Sequence, residues 1–119
     1  MEWRTEKLEG AVKVVCLCGS TRFKDQMMEQ AREETLNGNV VIMPHVFAHA
    51  GDVISEKQKM ELDTLHLMKV VMADEVLVID VNEYVGDSTR REIDYALKAG
   101  KHIRYFSQEE EARRLGDRR

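Results

Sequence analysis

The sequence predicts an α/β protein: a small doubly wound parallel sheet of four to five strands, in the order 2-1-3-4, with helices on both faces. Three observations carry the fold class, and the strand order is an expectation added to it. Short apolar runs rich in β-branched residues recur along the chain, and segments of helical period lie between them. The two kinds alternate throughout, which is the order of right-handed βαβ crossovers.

The first run is VKVVCLC, Val12 to Cys18; the second is NVVIM, Asn39 to Met43; the third is EVLVID, Glu75 to Asp80. Each is nearly continuous in hydrophobicity, as a strand covered on both faces has to be. Pro44, the one proline in the chain, follows the second run and ends it, since it has no N–H to give a ladder. KHIRYF, Lys101 to Phe106, is less apolar and reads as a fourth strand at an edge. Between the strands, Phe23, Met27 and Ala31 recur at helical spacing, Leu62, Leu65, Met68 and Met72 form a second stripe, and Ile93, Ala96, Leu97 and Gly100 a third. SQEEEARRLG, Ser107 to Gly116, reads as a short C-terminal helix.

A chain of 119 residues is long enough to bury one core, so a single domain is expected. A hydrophobic share of 43% beside 34% charged residues is that of an ordinary soluble domain. The formal net charge of -4 argues against a nucleic-acid polymer as the main partner, because surfaces that track phosphates are basic. A small anion needs only one local positive pocket. No apolar stretch is long enough to span a bilayer and the first ten residues lack a signal-peptide core, so no membrane partner and a cytoplasmic location are expected. Cys16 and Cys18 share one face of the first strand, with the spacing of neither a zinc knuckle nor a redox pair, and are expected as buried, reduced thiols.

In a doubly wound sheet, ligands collect beyond the carboxyl ends of the strands, where the connections diverge. Three segments converge there. Gly19, Ser20, Thr21 and Arg22 follow the first strand and offer close backbone approach, two hydroxyls, free N–H groups and a guanidinium, a set that suits a phosphate. Taken alone, the same four residues fit better a simple turn capped by Ser20 with Arg22 on the surface. His45 ends the second strand and can hydrogen-bond a ligand. A metal set of His45, His49, Asp52 and His66 is not expected, because the segment PHVFAHAGD has no helical period to hold its histidines on one face. Gly86, Asp87, Ser88 and Thr89 follow the third strand, and Asp80 at its end can orient a sugar hydroxyl. Asp74 lies at the opposite end. Arg90 and Arg91 read as a solvated face, with Arg91 in reach of Asp87 or Tyr95.

Glu92 has two readings. Thr89-Arg90-Arg91-Glu92 matches the capping box, in which a hydroxyl residue and a Glu three positions on satisfy orphan N–H groups. At 100° per residue, however, Glu92 lies about 40° from Ala96 at the border of the apolar stripe, half-buried and aimed over the third strand into the crevice. Position alone favours the cap.

DSTRREIDYA, Asp87 to Ala96, resembles the helix-start signature of the nucleoside 2-deoxyribosyltransferases, and ADEVLVID resembles that family's third strand. CGSTR is similar to the phosphate loop of the related 2'-deoxynucleoside 5'-phosphate N-hydrolases, and VIMPHV to their second strand with its histidine. The likeness runs from about Val12 to Phe106. It implies a flavodoxin-like fold, cleavage or transfer at an N-glycosidic bond with Glu92 as nucleophile, no metal or organic cofactor, and a homodimer or larger homo-oligomer. It also implies that Arg22, Ser20 and Ser88 hold a 5'-phosphate, so the expected partner is a small nucleoside or nucleotide. One position departs from the family: its aspartate eight residues ahead of Asp74 is His66 here. Either Asp63, one helical turn earlier, replaces it, or His66 itself donates the proton, its ordinary pKa being ~6.5. The rival expectations are a binding module of the same fold without turnover, and a ribosyl substrate related to NAD.

Overall fold

The computed structural model describes residues 11–45 and 51–116. Four strands, β1 (Val14–Gly19), β2 (Val40–Ile42), β3 (Glu75–Ile79) and β4 (His102–Tyr105), form one all-parallel sheet in the order β2-β1-β3-β4. Helices α1 (Lys24–Leu36), α2 (Glu56–Met72), α3 (Asp87–Lys98) and α4 (Phe106–Gly116) make the crossovers and the C-terminal cover. The predicted doubly wound fold and strand order are both present. Among the described residues no helix is long and apolar enough to cross a membrane.

Strand alternation sorts the core into two layers. Val15, Leu17, Leu77 and Ile79 point to one face, where Met27 and Ala31 of α1 and Phe106 of α4 pack on them. Cys16, Cys18, Val76 and Val78 point to the other, against Val70 and Ala73 from the α2 end and Ile93 and Ala96 of α3. Burial of each such large side chain is worth about 1.5–3 kcal/mol. The two reduced thiols are fully buried, as expected, and they face α2 and α3.

Helix α2 corrects its predicted face. Leu65, Met68 and Met72 are exposed, while the buried residues are His66 and Val70. The helix turns a histidine inward because Cys18 and Glu92 supply polar partners there, which lowers the cost of burying an imidazole. The capping box is corrected as well. Helix α3 starts at Asp87 with Gly86 as N-cap, so Thr89 is already inside the helix and Glu92 lies in its second turn. The reciprocal capping box belongs to α2, where Ser55 Oγ accepts from the Gln58 N–H and Gln58 Oε1 from the Ser55 N–H.

Polar pins fix the periphery. Arg104 on β4 donates to Glu34 of α1 at 2.8 Å, Glu75 of β3 at 2.9 Å and Glu109 of α4 at 2.7 Å, and it holds the Glu34 carboxyl below its usual range. Asp74 Oδ2 accepts from the Val14 N–H at 2.8 Å. Asp80 accepts from the N–H and the hydroxyl of Ser107 in the first turn of α4, at 2.8 and 2.7 Å.

Candidate active site

The site begins where β1 ends. A Cβ at Gly19 would lie 2.8 Å from the Ile79 carbonyl oxygen, so only glycine lets β1 press this closely on β3. Beyond it Ser20 caps a turn of 3-10 helix, Thr21–Phe23, and its hydroxyl accepts from both the N–H and the Nε of Arg22, at 3.3 and 3.2 Å. The turn and the available guanidinium thus coexist. Arg22 lies 4.4 Å over the Tyr84 ring, which meets Phe23 edge-on at 5.8 Å. Among the described residues no ion pair engages Arg22, so its charge is available to an anion. Asn82 and Glu83 in the turn before Tyr84 adopt left-handed φ values of 54° and 64°, a conformation that costs most non-glycine residues energy and sets the aromatic ring under Arg22.

Across the crevice, α3 opens without a side-chain cap, which leaves first-turn N–H groups free to meet a negative charge. Between the two lies a cavity of about 580 Å³, of the size that takes a small organic ligand. Gly19, Ser20, Thr21 and Arg22 line one side and Gly86, Asp87, Ser88 and Thr89 another; His45, Asp63, His66 and Glu92 also border it. The wall from α2 includes Leu62, Leu65, Met68 and Met72. Its apolar stripe therefore faces a ligand space and solvent in place of the core.

At one end of the cavity Glu92 Oε2 lies 3.5 Å from His66 Nε2, and both side chains are nearly buried, at 13% and 11% exposure. The same Nε2 is 3.3 Å from Cys18 Sγ. Burial pushes the Glu92 carboxyl up to about 7, against the pull of a protonated His66. Burial pulls the His66 imidazole down, but the hydrogen bond and negative charge of Cys16, itself lowered to about 6 by its hydrogen bond with Cys18, and the Glu92 charge outweigh it and leave it above its ordinary value. The Cys18 thiol is held well above its ordinary value by its hydrogen bond with Cys16 and by burial, so it stays protonated. A carboxyl near 7 beside an imidazole exchanges protons readily at neutral pH. Asp63 instead pairs with Lys59 at 3.8 Å and is 46% exposed, so of the two candidates His66 is the one that meets Glu92.

Asp80 is a correction: Ser107 occupies both its oxygens, and it does not border the cavity. Arg91 donates to Ser88 Oγ at 3.2 Å, not to Asp87 or Tyr95. Among the described residues, the one set of His, Cys and acidic donors gathered closely enough for a metal is Cys16, Cys18 and His66, within 4.8 Å of one another. Neither His45 nor Asp52 belongs to it, and His49 lies outside the described residues. Sequence reasoning missed Ile54, Lys59, Lys69 and Tyr84 on the cavity wall and Cys18 behind His66. Cys18 was legible from strand parity once His66 is turned inward; Tyr84 carried no signal. No protein-family model matches the chain, and no curated protein matches it.

Proposed function

We propose that the protein cleaves, or transfers at, the N-glycosidic bond of a nucleoside 5'-monophosphate, with Glu92 as the nucleophile and retention at the anomeric carbon. The observation that carries the reading is the nearly buried Glu92–His66 pair, 3.5 Å apart, bordering the cavity that Arg22 and Ser20 line. The resemblance of DSTRREIDYA and CGSTR to nucleotide N-glycosidases and deoxyribosyltransferases points the same way.

In this mechanism the phosphate sits on Arg22, Ser20, Ser88 and the free N–H groups opening α3. Ionised Glu92 attacks the anomeric carbon, the base departs as it takes a proton, and water or a second base then releases the sugar. His66 contributes twice: as imidazolium it favours ionised Glu92, and as the acid beside Glu92 on the cavity wall it can supply the leaving base with a proton. Carboxylate and imidazole suffice for these steps without a cofactor. The reading includes self-association, supported by the exposed Met60, Leu65, Met68, Val71 and Met72 along α2, an apolar stripe that a second copy can cover. A monomer by light scattering at micromolar concentration would remove that part.

The test is a panel of ribo- and deoxyribonucleosides and their monophosphates, with free base followed by chromatography. Wild type should release base from a monophosphate, and Glu92→Gln should lower that rate by orders of magnitude. An unchanged rate in the variant sinks the nucleophile assignment. No release from any substrate, with binding retained, leaves a nucleotide sensor of the same fold.

A further inference from the structure

His66 Nε2 is a single atom with two partners. Cys18 Sγ lies 3.3 Å from it and Glu92 Oε2 lies 3.5 Å from it. An imidazole nitrogen carries either a proton or a lone pair, so it cannot donate to one partner and accept from the other at once. When Glu92 is ionised, the Nε2 proton belongs to the carboxylate and the sulfur has to tolerate that arrangement. When Glu92 is protonated, the Nε2 lone pair needs a donor.

A thiol suits both states, because it is a weak donor and a weak acceptor and competes poorly with a carboxylate. A hydroxyl would compete more strongly for Nε2. An alkyl group would leave the nitrogen with one partner. The sulfur is also rigidly held: Cys18 is fully buried, paired in register with Val78 of β3, and followed by the Gly19 contact with Ile79.

We propose that Cys18 is a positioning residue, whose thiol fixes the His66 imidazole against Glu92 from the strand that also leads into the Gly19–Arg22 loop. This rests on the reading of Glu92 as the reactive carboxylate. The register of the proton-exchanging pair is then set by the sheet. The same strand end holds the ligand loop, so the phosphate-binding residues and the pair keep a fixed separation.

The titratable and charged groups around the pair are Cys16 and Cys18 from β1, Asp63 and Lys69 from α2, and Arg91 from α3. Replacing Cys18 also removes the hydrogen bond that holds the Cys16 thiol down to about 6, so each Cys18 variant is compared in a Cys16→Ala background as well.

The experiment is an NMR titration of the His66 ring in the full chain without substrate, for wild type, Cys18→Ser, Cys18→Ala and Val76→Ala. The last removes apolar volume from the same core layer on neighbouring β3 and serves as the stability control. Cys18→Ala should move the His66 midpoint by roughly half a pH unit or more toward the ordinary imidazole value, as water enters and the contact with Glu92 loosens. Val76→Ala should lower stability and leave that midpoint in place, and Cys18→Ser, whose hydroxyl competes more strongly for Nε2, should also move it. With a substrate in hand, Cys18→Ala should lose on the order of 10- to 100-fold in kcat with little change in KM, since Cys18 does not border the cavity. A His66 midpoint unmoved in folded Cys18→Ala overturns the proposal, as does an equal shift in Val76→Ala. Stoichiometric zinc on the purified protein would also overturn it, by making the thiol a ligand. An active Glu92→Gln would defeat the reading of Glu92, while the titration still decides the Cys18–His66 contact.

Discussion

Replacing Glu92 by Gln should stabilise the protein at alkaline pH while removing the proposed glycosidic activity. The folded carboxyl titrates at about 7 against an ordinary 4.5, so the folded state holds its proton more tightly than the unfolded chain does. Stability from this group is greatest below the unfolded value, falls as pH rises between the two, and levels off above the folded one. A gap of that size corresponds to about 3 kcal/mol once Glu92 is fully ionised. Gln has the same shape and no charge to desolvate. The advantage of Glu92→Gln over wild type should therefore grow from about 1 kcal/mol at pH 5 to about 3 kcal/mol at pH 8. For a domain of this length that is roughly 10 °C in Tm at the alkaline end. Urea denaturation of both proteins at matched pH values measures the difference, and groups whose surroundings the substitution leaves unchanged cancel. His66 loses its carboxylate partner in the variant, which moves the midpoint of the curve and not its sign. A difference that is flat from pH 5 to 9, or a variant less stable than wild type at pH 8, would refute the claim that burial sets the carboxyl.

Three further outcomes follow from single contacts. Arg22→Ala should weaken nucleoside monophosphates about 10- to 100-fold, the worth of a charge-assisted hydrogen bond, and free nucleosides much less; equal losses in calorimetry would exclude a phosphate at this loop. Asp80→Ala should cost about 1–2 kcal/mol in denaturant, because the first turn of α4 loses its acceptor, while ligand affinity stays unchanged. A large affinity loss would return Asp80 to the site. Arg104→Ala removes the shared cation of Glu34, Glu75 and Glu109, leaving Glu34 the Asn39 amide and Glu75 the exposed Lys13, and should cost about 3–5 kcal/mol at pH 7. Because the folded Glu34 value is depressed, its part of that stability is present above the ordinary carboxyl range and vanishes as pH falls below it. A loss from Arg104→Ala that does not shrink at acid pH contradicts that account.

Strand positions and the helix order follow from local pattern, since apolar runs and helical period are properties of neighbouring residues; the 2-1-3-4 order, though expected, is fixed only by which strands pair in the closed sheet. The convergence of Gly19 to Arg22, His45, Gly86 to Thr89 and Glu92 on one crevice follows from that topology, because connections diverge at one place in such a sheet. Tertiary structure decided the rest. The inner face of α2 is chosen by what lies opposite: Cys18 and Glu92 make burial of His66 affordable, and no count of apolar residues along α2 contains that. Thr89 and Glu92 match a capping box by spacing, yet α3 begins two residues before Thr89, and the helix start rather than the motif decides whether Glu92 caps. Asp80 stands at the crevice end of β3 by sequence, and a hydrogen bond to Ser107, 27 residues away, removes it from the site. Local pattern is enough to place the strands, the helices and the crevice they leave; which side chains meet there, and with what charge, depends on burial and on partners brought together only when the chain closes.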